Sequence, residues 1–221
     1  PIYEIITFDV HDPNIQNAIP LLSFENIYPT YDMVKAIVSH EKSLELNKEK
    51  LLVISPDTGA MDRAIYYAGA LGVDVGLFYK RRDHSTIVNG KNPIVQHEYM
   101  GRDVADKDVL IVDDMIASGE SVIDIAKELK KRNARNVYVA ATFGFFTEGV
   151  ERFNKFYEEG IISRIYCSNL TYVSPELNDA PWFHGVDISE LCSRIINRLN
   201  HGRSISKYMD ATRIIHDLLN E

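Results

Sequence analysis

The feature that most restricts the fold of this 221-residue chain is a regular alternation of short apolar runs with longer amphipathic segments. Runs such as "LLVIS", "VLIV" and "VYVAA" are apolar or small at consecutive positions, which is typical of strands buried on both faces. The segments between them carry apolar residues at helical spacing. This alternation predicts an α/β fold, with a parallel sheet flanked by helices on both faces.

The same patterns place the individual elements along the chain. We predict strands at residues 3–10, 51–57, 73–79, 108–114, 136–143 and 163–169. We predict helices at residues 30–48, 59–72, 120–134, 147–158, 188–200 and 207–220, with Gly72 ending the second of them. The polar stretch 80–93 is predicted to be a loop. In sheets of this kind ligands bind beyond the carboxyl ends of the strands, so a site is expected there.

Charge and cysteine content restrict the class of protein. A formal net charge of −8 argues against binding to nucleic acid or to an acidic membrane surface. Cys167 and Cys192 show no CxxC or metal-ligand spacing, so we expect reduced thiols in a cytoplasmic protein. No apolar run approaches the roughly 20 residues of a membrane span, and no signal peptide is evident. Because the chain begins with Pro1, we expect a processed product or a fragment of a longer protein.

The segment "VLIVDDMIASGES" (109–121) is the strongest indication of a binding site. Its backbone amides at residues 117–121 precede a predicted helix, whose N-terminus favours anions. The serine hydroxyls in that turn can donate to a phosphate, whereas Asp113 and Asp114 suit sugar hydroxyls or a metal ion. Together these groups indicate a sugar phosphate. The alternative is an ordinary helix with an N-cap after a strand.

This segment resembles the ribose-5-phosphate loop shared by type I phosphoribosyltransferases and ribose-phosphate diphosphokinases, also called phosphoribosyl pyrophosphate synthetases. Other segments follow in the order found in the synthetases: "ITFDVHDPNIQ" (6–16), "VISPDTGAMDRA" (53–64), "YKRRD" (79–83), "IYCSNL" (165–170) with "VDIS" (186–189), and "NHGRSIS" (200–206). The resemblance covers nearly the whole chain. It implies a phosphoribosyltransferase-like fold, in which residues 1–29 end a first domain whose remainder is absent. Residues 30–221 would form a second such domain with C-terminal helices.

The resemblance also implies roles for individual residues. Binding of ribose 5-phosphate falls to Asp57, Asp113, Asp114, Ala117, Ser118, Gly119, Glu120 and Ser121. Binding of Mg²⁺ falls to Asp9, His11, Glu25 and Asp57. Catalytic roles fall to His11, Lys80 and Arg82, of which the two basic residues would stabilise the transferring phosphoryl groups.

The activity that the resemblance implies is pyrophosphoryl transfer. The 1-hydroxyl of ribose 5-phosphate would attack MgATP, giving phosphoribosyl pyrophosphate and AMP, in a homo-oligomer that is a dimer or a hexamer. A fragment without the adenine-binding half is not expected to turn over. One alternative is a type I phosphoribosyltransferase, which would need a hood segment that recognises a base. The other is a non-catalytic relative that binds sugar phosphate or assembles with active synthetase subunits.

Several residues depart from the synthetase pattern. Ala117 stands where the synthetases usually have Asp, and Phe143 where they commonly have His. Glu120 places an acid near the phosphate site, where it would be harmless if it points outward and repulsive if it points inward. These departures bear on turnover more than on the fold.

Overall fold

The computed structural model describes residues 2–82 and 94–220, and describes side chains for all of these except residues 80–82 and 94–97. Its strands are β1 (Glu4–Phe8), β2 (Ser23–Ile27), β3 (Leu51–Ser55), β4 (Asp74–Arg82), β5 (Ile94–Met100), β6 (Asp108–Ile116), β7 (Val137–Gly144), β8 (Arg164–Ser168) and β9 (Phe183–Val186). Its α-helices are α1 (Thr30–His40), α2 (Met61–Leu71), α3 (Glu120–Lys131), α4 (Glu151–Glu158), α5 (Pro175–Asn178), α6 (Ser189–Asn200) and α7 (Thr212–Leu219). Short 3₁₀ helices lie at Pro13–Ala18 and Ser206–Tyr208.

Seven strands form the main sheet, in the order β5-β4-β3-β6-β7-β8-β9. Neighbouring strands run parallel except for the antiparallel pair β4 and β5. Helices pack on both faces of this sheet, which confirms the fold class predicted from the sequence. The carboxyl ends of β3, β6 and β7 lie side by side at one edge, because these three strands are adjacent and parallel.

The continuous apolar runs arise because each central strand supplies two separate cores. Leu52 and Ile111 belong to the core that includes residues of α3 and α4. Leu51 and Leu110 belong to the core on the opposite face, which includes residues of α1 and α2. Successive side chains of a strand project to opposite faces, so both faces require apolar residues. Burying each such side chain contributes roughly 1.5–3 kcal/mol.

Strands β1 and β2 form a separate, two-stranded parallel sheet. Asp9 directly follows β1, has a φ of 42° and donates its N–H to the carbonyl of Ile27 at 3.0 Å. The next N–H, of Val10, donates to Asn26 Oδ1 at 3.0 Å. A tight, hydrogen-bonded turn therefore follows β1. The domain boundary predicted at residue 29 falls after this small sheet, and it stays a prediction.

Several strand predictions need correction. β2, β5 and β9 were not predicted, because sequences such as "SFENI" mix polar and apolar residues without a clear period. Residues 80–82, predicted as the start of a loop, belong to β4, and residues 83–93 lie outside the described residues. β6 continues to Ile116, so that Asp113 and Asp114 lie within the strand and not at its end. The turn toward α3 comes only after them.

The helices are mostly shorter than predicted. α1 ends at His40 instead of residue 48, and α7 begins at Thr212 instead of residue 207. α3 ends at Lys131, shortly before Asn133, which adopts a left-handed φ of 63°. The predicted end of α2 is confirmed, since Gly72 has a φ of 67° directly after Leu71. Within the described ranges, no helix combines the length and apolar content that crossing a bilayer requires.

The pair His40 and His184 predicts a pH-dependent stability. Their ring centroids are 4.1 Å apart, and burial, followed by the charges of His40 and Arg164, lowers the pKa of His184. Between this folded-state pKa and the ordinary value of 6.5, the unfolded chain binds a proton that the folded chain does not. The free energy of unfolding should therefore fall as pH drops below 6.5. Urea unfolding at a series of pH values measures this free energy. If the free energy of unfolding of a His184→Gln variant fell with pH as steeply as that of the wild type, the prediction would be contradicted.

Candidate functional site

A cleft of about 620 Å³ opens at the carboxyl ends of β3 and β6. Its lining comprises His11, Asp57, Thr58, Gly59, Ala60, Arg63, Tyr79, Asp113, Asp114 and Met115. Four of the predicted site residues thus meet here, although they come from three separate parts of the chain. A smaller cleft of about 170 Å³, between α1, α6 and α7, shares none of these residues.

His11 and Asp114 form the shortest contact between predicted residues of the cleft. His11 Nδ1 lies 2.6 Å from Asp114 Oδ2, and the side chains are 74% and 6% exposed respectively. The hydrogen bond and the charge of Asp114 raise the pKa of His11. Burial alone would raise the pKa of Asp114, but hydrogen bonds from His11 and Asp113 and the charge of Arg63 lower it. The contact therefore favours an imidazolium beside an ionised carboxylate.

Asp113 is in a different electrostatic state. Burial, followed by the hydrogen bond and charge of Asp114, raises the pKa of Asp113 to about 7. Its Oδ1 accepts a hydrogen bond from the backbone N–H of Asp114 at 2.9 Å. A carboxyl group with such a pKa can both accept a hydrogen bond from a sugar hydroxyl and donate one to it near neutral pH. Near neutral pH, Asp113 can therefore both donate and accept hydrogen bonds, whereas the ionised Asp114 only accepts them.

Asp57 is held at the rim of the cleft by its own turn. Its Oδ1 accepts hydrogen bonds from the N–H groups of Gly59 at 2.9 Å and Ala60 at 3.2 Å. Ser55 Oγ donates to the carbonyl of Asp57 at 2.7 Å. These bonds place the carboxylate at the start of α2, where the helix dipole favours a negative charge.

Arg63 is a cleft residue that the sequence analysis missed. Its Nη2 is 2.6 Å from Asp9 Oδ1, and its Nε is 3.1 Å from each oxygen of the same carboxylate. Thr142 Oγ1 donates to Asp9 Oδ2 at 2.5 Å. The signal that could have revealed Arg63 is its position in the first turn of the helix that follows Asp57. Asp9, predicted to bind a metal, is only 2% exposed, and binding a metal would require these donors to move.

The described residues contain no group of three or more His, Cys, Asp or Glu side chains arranged to hold a metal ion. Mg²⁺, however, is commonly bound by one or two carboxylates together with substrate phosphates. Asp57 and Asp113 in the cleft fit this mode of binding. Glu25 does not line the cleft, and as the neighbour of Asn26 in β2 it projects to the opposite face of that strand.

The predicted phosphate loop begins two residues beyond Met115 of the cleft, although residues 117–121 do not themselves line it. Gly119, with a φ of 80°, directly precedes α3. A Cβ at this position would lie 2.1 Å from Phe153 Cζ, so only glycine fits. Glu120 is exposed at the first position of α3, and its backbone N–H is 3.4 Å from Ser118 Oγ.

The segment after β7 supports this loop from behind. The carbonyl of Ile116 accepts the N–H of Phe145 at 2.9 Å, and the carbonyl of Ala117 accepts that of Thr147 at 3.0 Å. Phe143, which departs from the synthetase pattern, stacks on Phe145 with ring centroids 6.2 Å apart. Two backbone hydrogen bonds therefore hold the start of the loop against the segment that follows β7.

Lys80 and Arg82 cannot be placed relative to the cleft, because their side chains lie outside the described part of the molecule. Their backbone belongs to β4, directly after Tyr79 of the cleft lining. Their predicted catalytic role stays a prediction.

Residues 24–155 match the family model described as the phosphoribosyl transferase domain. The chain belongs to this family. Among solved structures, the phosphoribosylpyrophosphate synthetase from Mycobacterium smegmatis superposes with a TM-score of 0.71 at 20% identity, over 90% of this chain and 59% of that one. This likeness concerns the fold, and it agrees with the mostly parallel sheet described above.

Three of the similar curated proteins share the name ribose-phosphate pyrophosphokinase. Ribose-phosphate pyrophosphokinase from Mycoplasma pneumoniae is 33% identical over 162 residues, covering 73% of this chain and 47% of that protein. The namesake from Chlorobaculum tepidum is 28% identical over 218 residues, covering 98% of this chain and 61% of that protein. The namesake from Pyrococcus abyssi is 34% identical over 175 residues, covering 77% and 55%. The match thus spans about half to three fifths of these relatives.

Proposed function

We propose that this chain is the sugar-phosphate-binding half of a ribose-phosphate diphosphokinase. The proposed reaction transfers pyrophosphate from MgATP to the 1-hydroxyl of ribose 5-phosphate, giving phosphoribosyl pyrophosphate and AMP. The observation that carries this proposal is the convergence of His11, Asp57, Asp113 and Asp114 on one cleft next to the loop 117–121. The names of the curated relatives support the same activity.

In this proposal the loop binds the phosphate and the acids bind the sugar. The backbone N–H groups at residues 117–121 receive the 5-phosphate at the start of α3, and the serine hydroxyls add donors. Asp113 and Asp114 hold the ribose hydroxyls in the adjoining cleft. Glu120 is exposed, so its carboxylate can point into solvent while the phosphate is bound. His11, in contact with Asp114, is assigned to the nucleotide.

Transfer of a phosphoryl group depends mainly on positioning and on charge stabilisation. Mg²⁺, when bound, would offset the negative charge of the triphosphate, and Asp57 with Asp113 are the residues that fit it. Lys80 and Arg82 are assigned the role of stabilising the negative charge of the phosphoryl groups during transfer. We further propose that the active protein is a homo-oligomer, either a dimer or a hexamer, and that it is cytoplasmic.

Calorimetry with ribose 5-phosphate tests the proposed binding site. Asp113→Asn should weaken binding roughly 10- to 100-fold, because it replaces a hydrogen bond to an ionisable group that is worth about 1.5–3 kcal/mol. Asp124→Asn, which changes a half-exposed acid on α3, is the matched control and should leave the affinity unchanged. If wild type and Asp113→Asn bound ribose 5-phosphate with equal affinity, Asp113 would not be part of the sugar-binding site.

Product analysis separates the proposed reaction from its alternatives. The protein encoded by the complete gene should release AMP from ATP only when ribose 5-phosphate is present. Consumption of phosphoribosyl pyrophosphate with a purine or pyrimidine base would identify a phosphoribosyltransferase instead. Binding of ribose 5-phosphate without AMP release would identify a non-catalytic relative.

A further inference from the structure

Arg63, Asp9 and Thr142 form a buried link between three parts of the molecule. Arg63 lies in the first turn of α2 and Thr142 in β7, and Asp9 directly follows β1 of the small sheet. The two Arg63 nitrogens and the Thr142 hydroxyl all donate to the Asp9 carboxylate. Since each carboxylate oxygen accepts at least two of these bonds, the side chain of Asp9 has one orientation.

The backbone of Asp9 also depends on this link. Its φ of 42° lies in the left-handed region, which costs most residues about 1–2 kcal/mol and which Asp tolerates better than most. The neighbouring N–H groups of Asp9 and Val10 bond to Ile27 and Asn26 in β2. The side-chain link and these backbone bonds together determine where the chain leaves the turn, one residue before His11.

The imidazole of His11 is 74% exposed, so packing does not hold it. Its position depends on the turn at Asp9 and on the 2.6 Å contact with Asp114. We propose that Arg63 is a positioning residue, which fixes the turn at Asp9 and thereby sets the imidazole of His11 against Asp114 at the rim of the cleft. This inference rests on the proposed function only for the use that the reaction makes of His11.

Nitrogen-15 NMR of the histidine rings at fixed pH tests this placement without any substrate. The His11 signals are assigned by their loss in His11→Gln. In Arg63→Met, the ring nitrogens of His11 should shift toward the values of the Asp114→Asn variant. The matched control is Arg135→Met, because Arg135 forms a similar bidentate pair with the buried Asp108, at 2.8 and 2.6 Å, at the other end of β6.

The control decides between positioning and general destabilisation. If His11 shifts in Arg63→Met and in the charge-retaining Arg63→Lys, and not in Arg135→Met, the proposal is supported, because Arg63→Lys keeps the charge that acts on Asp114. If His11 is unchanged in a folded Arg63→Met or Arg63→Lys, or shifts equally in Arg63→Met and Arg135→Met, the proposal is overturned. Should Arg63→Met fail to fold, Arg63→Lys retains the charge and loses the two-pronged contact, and an unchanged His11 signal there has the same negative meaning.

Kinetics add a second readout that a merely structural role would not produce. In the protein encoded by the complete gene, Arg63→Lys should lower turnover about 10²-fold, as misplacement of a group by about 1 Å does. The affinity for ribose 5-phosphate should change much less than turnover, since Arg63→Lys keeps a positive charge beside Asp114 and does not alter the loop 117–121. A failure of ribose 5-phosphate to bind would count against the proposed function, whereas the NMR result stands independently of it.

Discussion

Replacing Arg82 with alanine should lower the rate of AMP release about 10²–10³-fold in the protein encoded by the complete gene. Removing one donor that stabilises transition-state charge typically has an effect of this size. The transferred group carries its negative charge on several oxygens, and Arg82 is assigned to offset that charge together with Lys80. Steady-state assays at saturating ATP and ribose 5-phosphate measure the change as a fall in kcat.

Arg81→Ala is the matched control for this experiment. It removes the same side chain one position earlier in β4, and the family resemblance gives Arg81 no role. The control should retain the wild-type rate. An Arg82→Ala protein that keeps its rate, or an Arg81→Ala protein that loses as much, would remove Arg82 from the transfer step.

Gly119→Ala should reduce both stability and the binding of ribose 5-phosphate. The left-handed φ of 80° costs an alanine about 1–2 kcal/mol, and the overlap of its Cβ with Phe153 at 2.1 Å adds about 1–3 kcal/mol of overpacking. Since relief of the overlap requires the loop or α4 to move, the N–H groups before α3 would no longer converge. Urea unfolding and calorimetry on the same protein measure the two effects.

Two other glycines separate the causes of this loss. A Cβ at Gly72 meets nothing within 4 Å but has the left-handed φ of 67°, so that Gly72→Ala should show the conformational cost alone. Gly69 lies inside α2 with no atom within 4 Å of an added Cβ, so Gly69→Ala should stabilise the protein by about 0.5–1 kcal/mol. Gly119→Ala with no greater loss than Gly72→Ala would show that Phe153 yields without cost.

The sequence predicted the fold well because its strongest signals are physical ones. Strands buried on both faces must be apolar throughout, and this pattern located β3, β6 and β7, which carry the edge where the cleft opens. β2 and β9 escaped prediction because short strands with charged, amide or glycine residues lack a period. The extension of β6 past Asp114 was missed because acids usually end an apolar strand.

The site was predicted less completely than the fold. His11, Asp57, Asp113 and Asp114 were proposed from their positions after apolar runs and from the family resemblance; they line one cleft, and their roles stay predictions. Arg63 was missed because its importance depends on Asp9, 54 residues earlier in the chain, and such pairing has no local signature. The burial of Asp9 could not be read from its sequence neighbours either, since the polar segment that follows it suggests an exposed turn.

The alternation of side chains along β6 limits where residues can be inserted or deleted in this molecule. Leu110 and Val112 face one core and Ile111 the other, so Asp114 and Asp113 continue these two rows on opposite faces of the sheet. Inserting or deleting a single residue upstream within this strand would move each acid to the opposite face of the sheet. The apolar side chains between that residue and the acids would change faces as well. Length variation among descendants of this chain is therefore expected outside β6, in surface connections where neither row is shifted.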